Sequence, residues 1–336
     1  MKCAVFQQGG EPLSIESVPD PTPGPGEVVI KVGRCGICGS DLKMTEAGSS
    51  VLYPAGSALG HEYAGEIVAF GKNVSGFRVG DRVTAMPTTG CGSCPACLAG
   101  EPIACGRCRH IMGGFGEYTL ADARYVAKLP ADLSLSDGAL VEPLACGRHA
   151  VRLAGVSPAA RVLVIGAGSV GLTVMYWARR FGCRHIVATA RSERNAELAR
   201  TMGASGFVRQ GEALTDKVAE ALGGSPDIVF ECAGAAGLIG QAVDCVRFGG
   251  TIVSAGLCFD PEPFVSGKAL MKQARILFSL AYGMDDFRQA LDTLDAGFVE
   301  PRAMLGESIA LAALPRRLEE LRYERSTYKV MVNPWG

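Results

Sequence analysis

Gly166-Ala167-Gly168-Ser169-Val170-Gly171 stands between a continuous apolar run, Arg161–Ile165, and a helical run over 172–181. That order leaves few folds open. The first glycine permits a tight turn, the second lets the backbone approach a ligand closely, and the third lets the helix pack on the strand. With a strand before it and a helix after it, the spacing reads as the turn that seats a pyrophosphate on a helix N-terminus, where unpaired N–H groups and the helix dipole favour an anion. Further strand candidates at 185–189, 227–230, 251–254 and 276–280 alternate with helical stretches at 193–202, 214–222 and 237–246. Apolar strands separated by helices imply a parallel sheet covered on both faces. Residues 147–285 are therefore expected to form a doubly wound, dinucleotide-binding domain.

Residues 1–146 have another texture. Short β-branched runs at 27–32, 64–70 and 81–85 are punctuated by Gly and Pro, which suggests an antiparallel barrel or sandwich. The tail from 286 has helical runs and ends in a strand-like 328–332. It is too short for a core of its own, so it is expected to complete the first domain.

Cys91, Cys94, Cys97 and Cys105 form a C-x₂-C-x₂-C-x₇-C cluster in a stretch rich in Gly and Pro. Four thiolates on one small loop can converge on a tetrahedral zinc with no open position. The bland alternative is a set of unrelated buried cysteines, which the even spacing inside a turn-rich loop disfavours. Such a closed site is structural and leaves the chemistry elsewhere.

Composition narrows the field. The chain has 336 residues, enough for two cores, with 48% hydrophobic and 20% charged residues and a formal net charge of -1. That charge argues against a nucleic-acid partner held through phosphates. Thirteen cysteines, an odd number without a disulfide-framework spacing, fit a reducing compartment. No secretory leader is expected at Met1, and no apolar stretch reaches the ~18 residues of a membrane span. The expectation is a cytoplasmic chain.

Nineteen positions past Gly171, where an NAD site normally carries an acid for the ribose 2′-hydroxyl, the chain has Ala190, followed by Arg191, Ser192, Glu193 and Arg194. A guanidinium binds a 2′-phosphate bidentately, and serine can donate to it. NADP(H) is favoured over NAD(H), with incidental solvated arginines as the bland alternative and Glu193 keeping an NAD-compatible geometry open.

Three further segments carry metal chemistry: Cys35-Gly36-Ile37-Cys38-Gly39-Ser40-Asp41, Gly60-His61-Glu62 and Glu142-Pro143-Leu144-Ala145. Cysteine, histidine and carboxylate are what a catalytic zinc uses. Together with the Gly71 to Val83 run, the four-cysteine lobe, VLVIGAGSVGL, FECAG and the terminal KVMVNP, they resemble, in order and over nearly the whole chain, the zinc-containing medium-chain dehydrogenase/reductase superfamily in its alcohol and polyol dehydrogenase branch. The resemblance implies a GroES-like β-barrel catalytic domain plus a Rossmann domain, with the active site in the cleft between them. It makes Cys38, His61 and Glu142 the catalytic zinc ligands and Glu62 an alternate or water-bridged one. It makes Ser40 the proton relay and puts Asp41 behind the ligands. Glu142, where many alcohol dehydrogenases have cysteine, resembles the polyol type. The glycine turn, Arg191, Ser192, Leu257, Leu280 and Lys329 are implied on the cofactor side, and Ser57, Phe115, Cys146, Leu257 and Leu280 as substrate walls.

Two departures stand out. Lys43 occupies a position where the family often has a proton-passing histidine. The link from Cys105 to Phe115 is short and carries Cys108 and His110, expected to be a packed cysteine and a partly exposed histidine. The reading is thus a two-zinc enzyme that interconverts an alcohol or polyol with its aldehyde or ketone, as a homodimer or homotetramer. A reductase of aryl or allylic aldehydes on the same zinc is the alternative. A zinc-free quinone reductase lacks use for Cys38 and His61, and a zinc-ribbon module leaves the glycine turn unexplained.

Overall fold

The computed structural model describes residues 1–49, 53–324 and 328–336. The chain divides into two compact units, Met1–Ala145 with Tyr282–Gly336, and Cys146–Ala281.

The hub of the first unit is the ten-residue strand Glu27–Gly36. Its Val28, Ile30 and Val32 are wholly buried, one pleat face turned to the core. It pairs antiparallel with Glu62–Phe70, Tyr118–Asp122 and the chain's last strand, Lys329–Asn333. Its C-terminal end decides where the chemistry goes. There Gly36 lies opposite Glu62 on one side and Met331 on the other, so residues nearly 300 positions apart in sequence meet at one strand end. Leu305–Ala310 extends this sheet by pairing parallel with Lys329–Asn333. The helix Leu314–Tyr323 buries Leu314, Leu318 and Leu321 in the same core as Phe6, Leu59, Tyr63 and Phe115. Spacings of four and three residues put those leucines on one helix face, which is why the tail belongs to this unit. Phe115, expected as a substrate wall, is fully buried in that core.

The helix Leu135–Ala154 carries Glu142, and its sequence does not read as a helix because Gly138, Pro143 and Gly147 lie within it. Ser134 opens it: its hydroxyl accepts from the Asp137 N–H at 3.1 Å, while the Asp137 carboxylate accepts from the Ser134 N–H at 2.7 Å. This is a reciprocal cap of the kind that satisfies orphan donors at a helix start.

The second unit is a six-stranded parallel sheet in the order Gly206–Arg209, His185–Ala190, Arg161–Ile165, Ile228–Glu231, Thr251–Ser254, Arg275–Phe278. Numbered along the unit this is 3-2-1-4-5-6, the Rossmann order, in which the order of the parallel strands reverses beside the first strand and so opens a crevice at its C-terminal end. Gly206–Arg209 is the strand that periodicity alone did not indicate. No helix among the described residues is long and apolar enough to cross a membrane.

Candidate active site and metal centres

Cys38, His61 and Glu62 present one ligand atom each within 4.8 Å of one another. Cys38 precedes a short helix, Gly39–Lys43, and its N–H donates to Asp41 Oδ2 at 2.9 Å, which fixes the turn. His61 is 9% exposed, and its Nδ1 lies 3.4 Å from Asp41 Oδ1; neither atom has a hydrogen-bond partner of normal geometry among the described residues. Burial pushes the imidazolium pKa down, yet the Asp41 carboxylate and the Cys38 thiol outweigh it and hold His61 well above its usual value. A buried ring between a carboxylate and a thiol, with its Nδ1 short of a partner, fits a cation on the other ring nitrogen, which would make Nδ1–H a donor to Asp41.

Glu62 is 1% exposed, and both of its oxygens accept from the Lys329 ammonium at 2.6 Å. Burial works against the charge on Lys329, but Glu62 and then Cys38 more than compensate, so its pKa is raised. Glu142 is also buried and is hydrogen-bonded to Tyr282, though it lies outside the 4.8 Å group. Burial raises its pKa against the opposing influence of His61, with the Glu62 charge adding to the rise. Ser40 is half-buried and hydrogen-bonds to Tyr53, a residue no motif singled out. Burial, and then the Asp41 charge, push the Tyr53 hydroxyl far up, so it is a neutral hydroxyl rather than a base. Lys43 is half-buried on the same short helix.

The sulfurs of Cys91, Cys94, Cys97 and Cys105 likewise lie within 4.8 Å of one another. Cys91 and Cys97 Sγ are 3.9 Å apart, close to the about 3.8 Å edge of a tetrahedron with 2.3 Å zinc–sulfur bonds. Backbone N–H groups point at the sulfurs, Ser93 and Cys94 onto Cys91 at 3.5 and 3.3 Å and Cys91 and Arg107 onto Cys105 at 3.4 and 3.3 Å. The donors of Ser93, then that of Cys94, lower the Cys91 pKa to about 5. These donors favour Cys91 and Cys105 as thiolates, the metal-binding form. Cys108 is half-buried and His110 exposed, and neither belongs to a metal-capable group among the described residues.

In the second unit each motif glycine has a reason. Gly166 has φ +102, and a Cβ there would stand 2.9 Å from Ala233; one on Gly171 would strike the Gly166 oxygen at 1.9 Å. One on Gly168 meets nothing, leaving the helix N-terminus open to a ligand, and Ser169 Oγ beside it is buried without a partner among the described residues. Ala167 is buried, and Val170 completes the first turn of the helix Ser169–Arg180. These features suit a pyrophosphate. Asn195 Nδ2 ties the following loop to Ala167 O at 2.6 Å. Ala190 ends its strand, and Arg191 and Ser192 beyond it are exposed, with no acid on Arg191 among the described residues. Leu257 is half-buried against Gly234 and Leu280 is exposed.

Residues 24–131 match the alcohol dehydrogenase GroES-like domain family, and residues 169–296 the zinc-binding dehydrogenase family. The sorbitol dehydrogenase of Halalkalibacterium halodurans is 30% identical over 337 residues, 98% of this chain and 97% of that protein. A zinc-binding dehydrogenase of Sinorhizobium meliloti 1021, solved bound to NADP, is 30% identical with a TM-score of 0.89 over 99% of both chains. Acetophenone reductase from Geotrichum candidum, solved with NAD, is 26% identical with a TM-score of 0.88 over 99% of this chain and 97% of that one. With two consecutive family matches, full-length likeness to a polyol enzyme and a Rossmann sheet after a GroES-like unit, the chain belongs to the zinc-containing medium-chain dehydrogenase/reductase superfamily, in its alcohol and polyol dehydrogenase branch.

Proposed function

We propose that this enzyme interconverts an alcohol or polyol with its aldehyde or ketone, with one catalytic and one structural zinc per chain and with NADP(H) as the preferred cofactor. The observation that carries the reading is the contrast between two donor groups: four thiols, enough to close a tetrahedral site, and a thiol, an imidazole and a carboxylate, one ligand short of closing it. Bound at Cys38 and His61, with Glu142 or Glu62 as the carboxylate, zinc would polarise that oxygen, and a nicotinamide would exchange the hydride. The chain does the rest. Asp41 orients His61, Ser40 takes the substrate proton, and Tyr53 keeps the Ser40 hydroxyl aimed.

Relatives with either cofactor have this fold, so the preference rests on the chain's own residues. Ala190 removes the acid that would hold a ribose diol and repel a 2′-phosphate, and Arg191 and Ser192 offer donors in its place. A charge-assisted hydrogen bond contributes ~1.5–3 kcal/mol, so Arg191→Ala should weaken NADP(H) roughly ten- to a hundredfold and barely touch NAD(H). The test is kcat/KM over a panel of polyols, simple alcohols and aldehydes with both cofactors, for wild type, Arg191→Ala and Cys38→Ala. Turnover that survives Cys38→Ala rejects the metal-centred reading. Equal loss of both cofactors on Arg191→Ala rejects NADP(H) preference alone.

A further inference from the structure

Phe230-Glu231-Cys232-Ala233-Gly234 buries a glutamate that belongs to neither metal-capable cluster. Strands of a sheet covered on both faces run apolar throughout, and a carboxyl group is almost never fully buried unless it is partnered. Glu231 is 2% exposed and ends its strand level with Ile165, the last residue before the glycine turn, and with Ser254, the last of the next strand. Its Oε1 accepts the N–H groups of Ala233 at 2.8 Å and Gly234 at 2.7 Å, and the Ser254 hydroxyl stands 3.5 Å from Oε2. Its backbone carbonyl accepts from Ala255 at 2.8 Å and Gly256 at 2.9 Å. One residue thus bonds the turns that follow two neighbouring strands. Those turns touch a third. A Cβ at Gly166 would lie 2.9 Å from Ala233 N, and the Cys232 N–H donates to Ile165 O at 2.8 Å. On the other side Gly234 has φ +61, and a Cβ on it would meet Leu257 O at 2.3 Å; one on Gly256 would strike Gly234 N at 2.3 Å and Glu231 Oε2 at 2.7 Å. Three turns are packed backbone to backbone around this carboxyl group.

In a sheet of this order a dinucleotide lies across the strand ends where these turns stand. We infer that Glu231 is a positioning residue for the nicotinamide dinucleotide, holding the turn of Ala233 and Gly234 against Gly166 on one side and Leu257 on the other and so fixing the spacing of the crevice. The inference rests on the cofactor reading proposed above and adds to it the group that keeps the site preformed. Without Glu231, two N–H groups lose their acceptor and the turn must be ordered by the cofactor, which subtracts from affinity. The effect belongs to the crevice and not to the 2′-phosphate, so it falls equally on both cofactors.

The measurement is the Kd of NADPH and of NADH for the full-length, zinc-loaded enzyme, by fluorescence titration well below the unfolding midpoint of each variant. Glu231→Ala should weaken both cofactors by a common factor, roughly ten- to a hundredfold. Glu231→Gln keeps one oxygen for both N–H groups and should stay within about threefold of wild type. Glu231→Asp, one methylene shorter, should fall between the two. Asp227→Asn is the control for stability: Asp227 stands before the other end of the same strand, paired with Arg161 and Arg247, so its loss should lower the unfolding midpoint and leave both Kd values unchanged. Wild-type affinity in Glu231→Ala or Glu231→Asp overturns the inference, and the Asp arm decides if Glu231→Ala does not fold. An equal loss in Asp227→Asn overturns it as well, since sheet stability would then be the cause, and so does a loss confined to NADPH. Wild type that binds neither cofactor removes the dinucleotide reading itself, a result distinct from binding that ignores Glu231.

Discussion

Ser40 and Tyr53 set what a single side chain can be asked to do. Ser40 sits two residues past Cys38 with its hydroxyl bonded to that of Tyr53, whose own proton is held far too tightly for it to act as the base. Ser40 should therefore be the group that exchanges the substrate proton, and Tyr53 the group that aims it. Ser40→Ala is expected to lower kcat by about 10²–10⁴-fold, the usual contribution of a positioned proton carrier. Tyr53→Phe removes one hydrogen bond, ~1 kcal/mol, and should cost roughly fivefold. Both are read as the single-turnover rate of cofactor oxidation, and an unchanged rate in Ser40→Ala sends the proton elsewhere. The sequence discloses only half of this pair. Ser40 is legible because it follows the metal-type cysteine at a fixed spacing, whereas Tyr53 reaches it through a fold in the chain that no spacing encodes. The same holds for Lys329: its strand is legible, but its pairing with Glu62 follows from the register Gly36↔Glu62 and Gly36↔Met331.

Among the elements, the helix that carries Glu142 shows where tertiary structure overrides local signals. Gly138, Pro143 and Gly147 weaken its intrinsic propensity, and it forms because Ala139, Leu140, Val141, Leu144 and Ala145 are all buried. Its start is held from far away: Arg302 grips Asp137 with Nε–Oδ1 at 2.7 Å and a second contact at 3.0 Å. Burial opposes the charge on Asp137, but the Arg302 and Ser134 hydrogen bonds prevail and lower its pKa. The carboxylate thus contributes stability that is present above its unfolded value of about 3.9 and fades as pH falls through the lower folded value. Asp137→Asn should cost about 1–2 kcal/mol at pH 7 through the lost cap and paired charge. In urea titrations the gap between variant and wild type should narrow only below about pH 4. A gap that closes between pH 7 and 5 would place the stabilising proton on another group. The strands of the parallel sheet, by contrast, are nearly all readable, since apolar runs buried on two faces need no alternation.

For the molecule as a whole, two separate metal-capable clusters make stability and acidity a single question. The four-cysteine lobe and the Cys38, His61, Glu62 group are distinct clusters, so zinc should approach two per chain and fall to one in Cys38→Ser and in Cys94→Ser. Only the second loss should unfold the lobe, because a closed site contributes folding energy directly. The pKa directions then fix the response to pH. Burial pushes the His61 pKa down, but Asp41 and Cys38 prevail and raise it well above its usual value, which in the metal-free chain favours a proton that zinc would have to displace. Stability from that proton is complete below the unfolded value of about 6.5 and is lost as pH rises through the folded one. The zinc-loaded site runs the other way. In the lobe the Ser93 and Cys94 donors keep Cys91 near 5, whereas at Cys94 the Cys97 backbone donor is outweighed by hydrogen bonding to Cys91, then by burial and the other thiols, and its pKa sits near 11. That site too must shed a proton to close. Zinc uptake should therefore acidify a weakly buffered solution, and competition against a chelator at pH 5.5, 6.5 and 7.5 should show weaker retention at each step down for both sites, since ligands must be deprotonated to bind. The Cys38→Ser protein reports the lobe alone, and its difference from wild type reports the catalytic site. Retention at that site independent of pH would mean that His61 is not among its ligands.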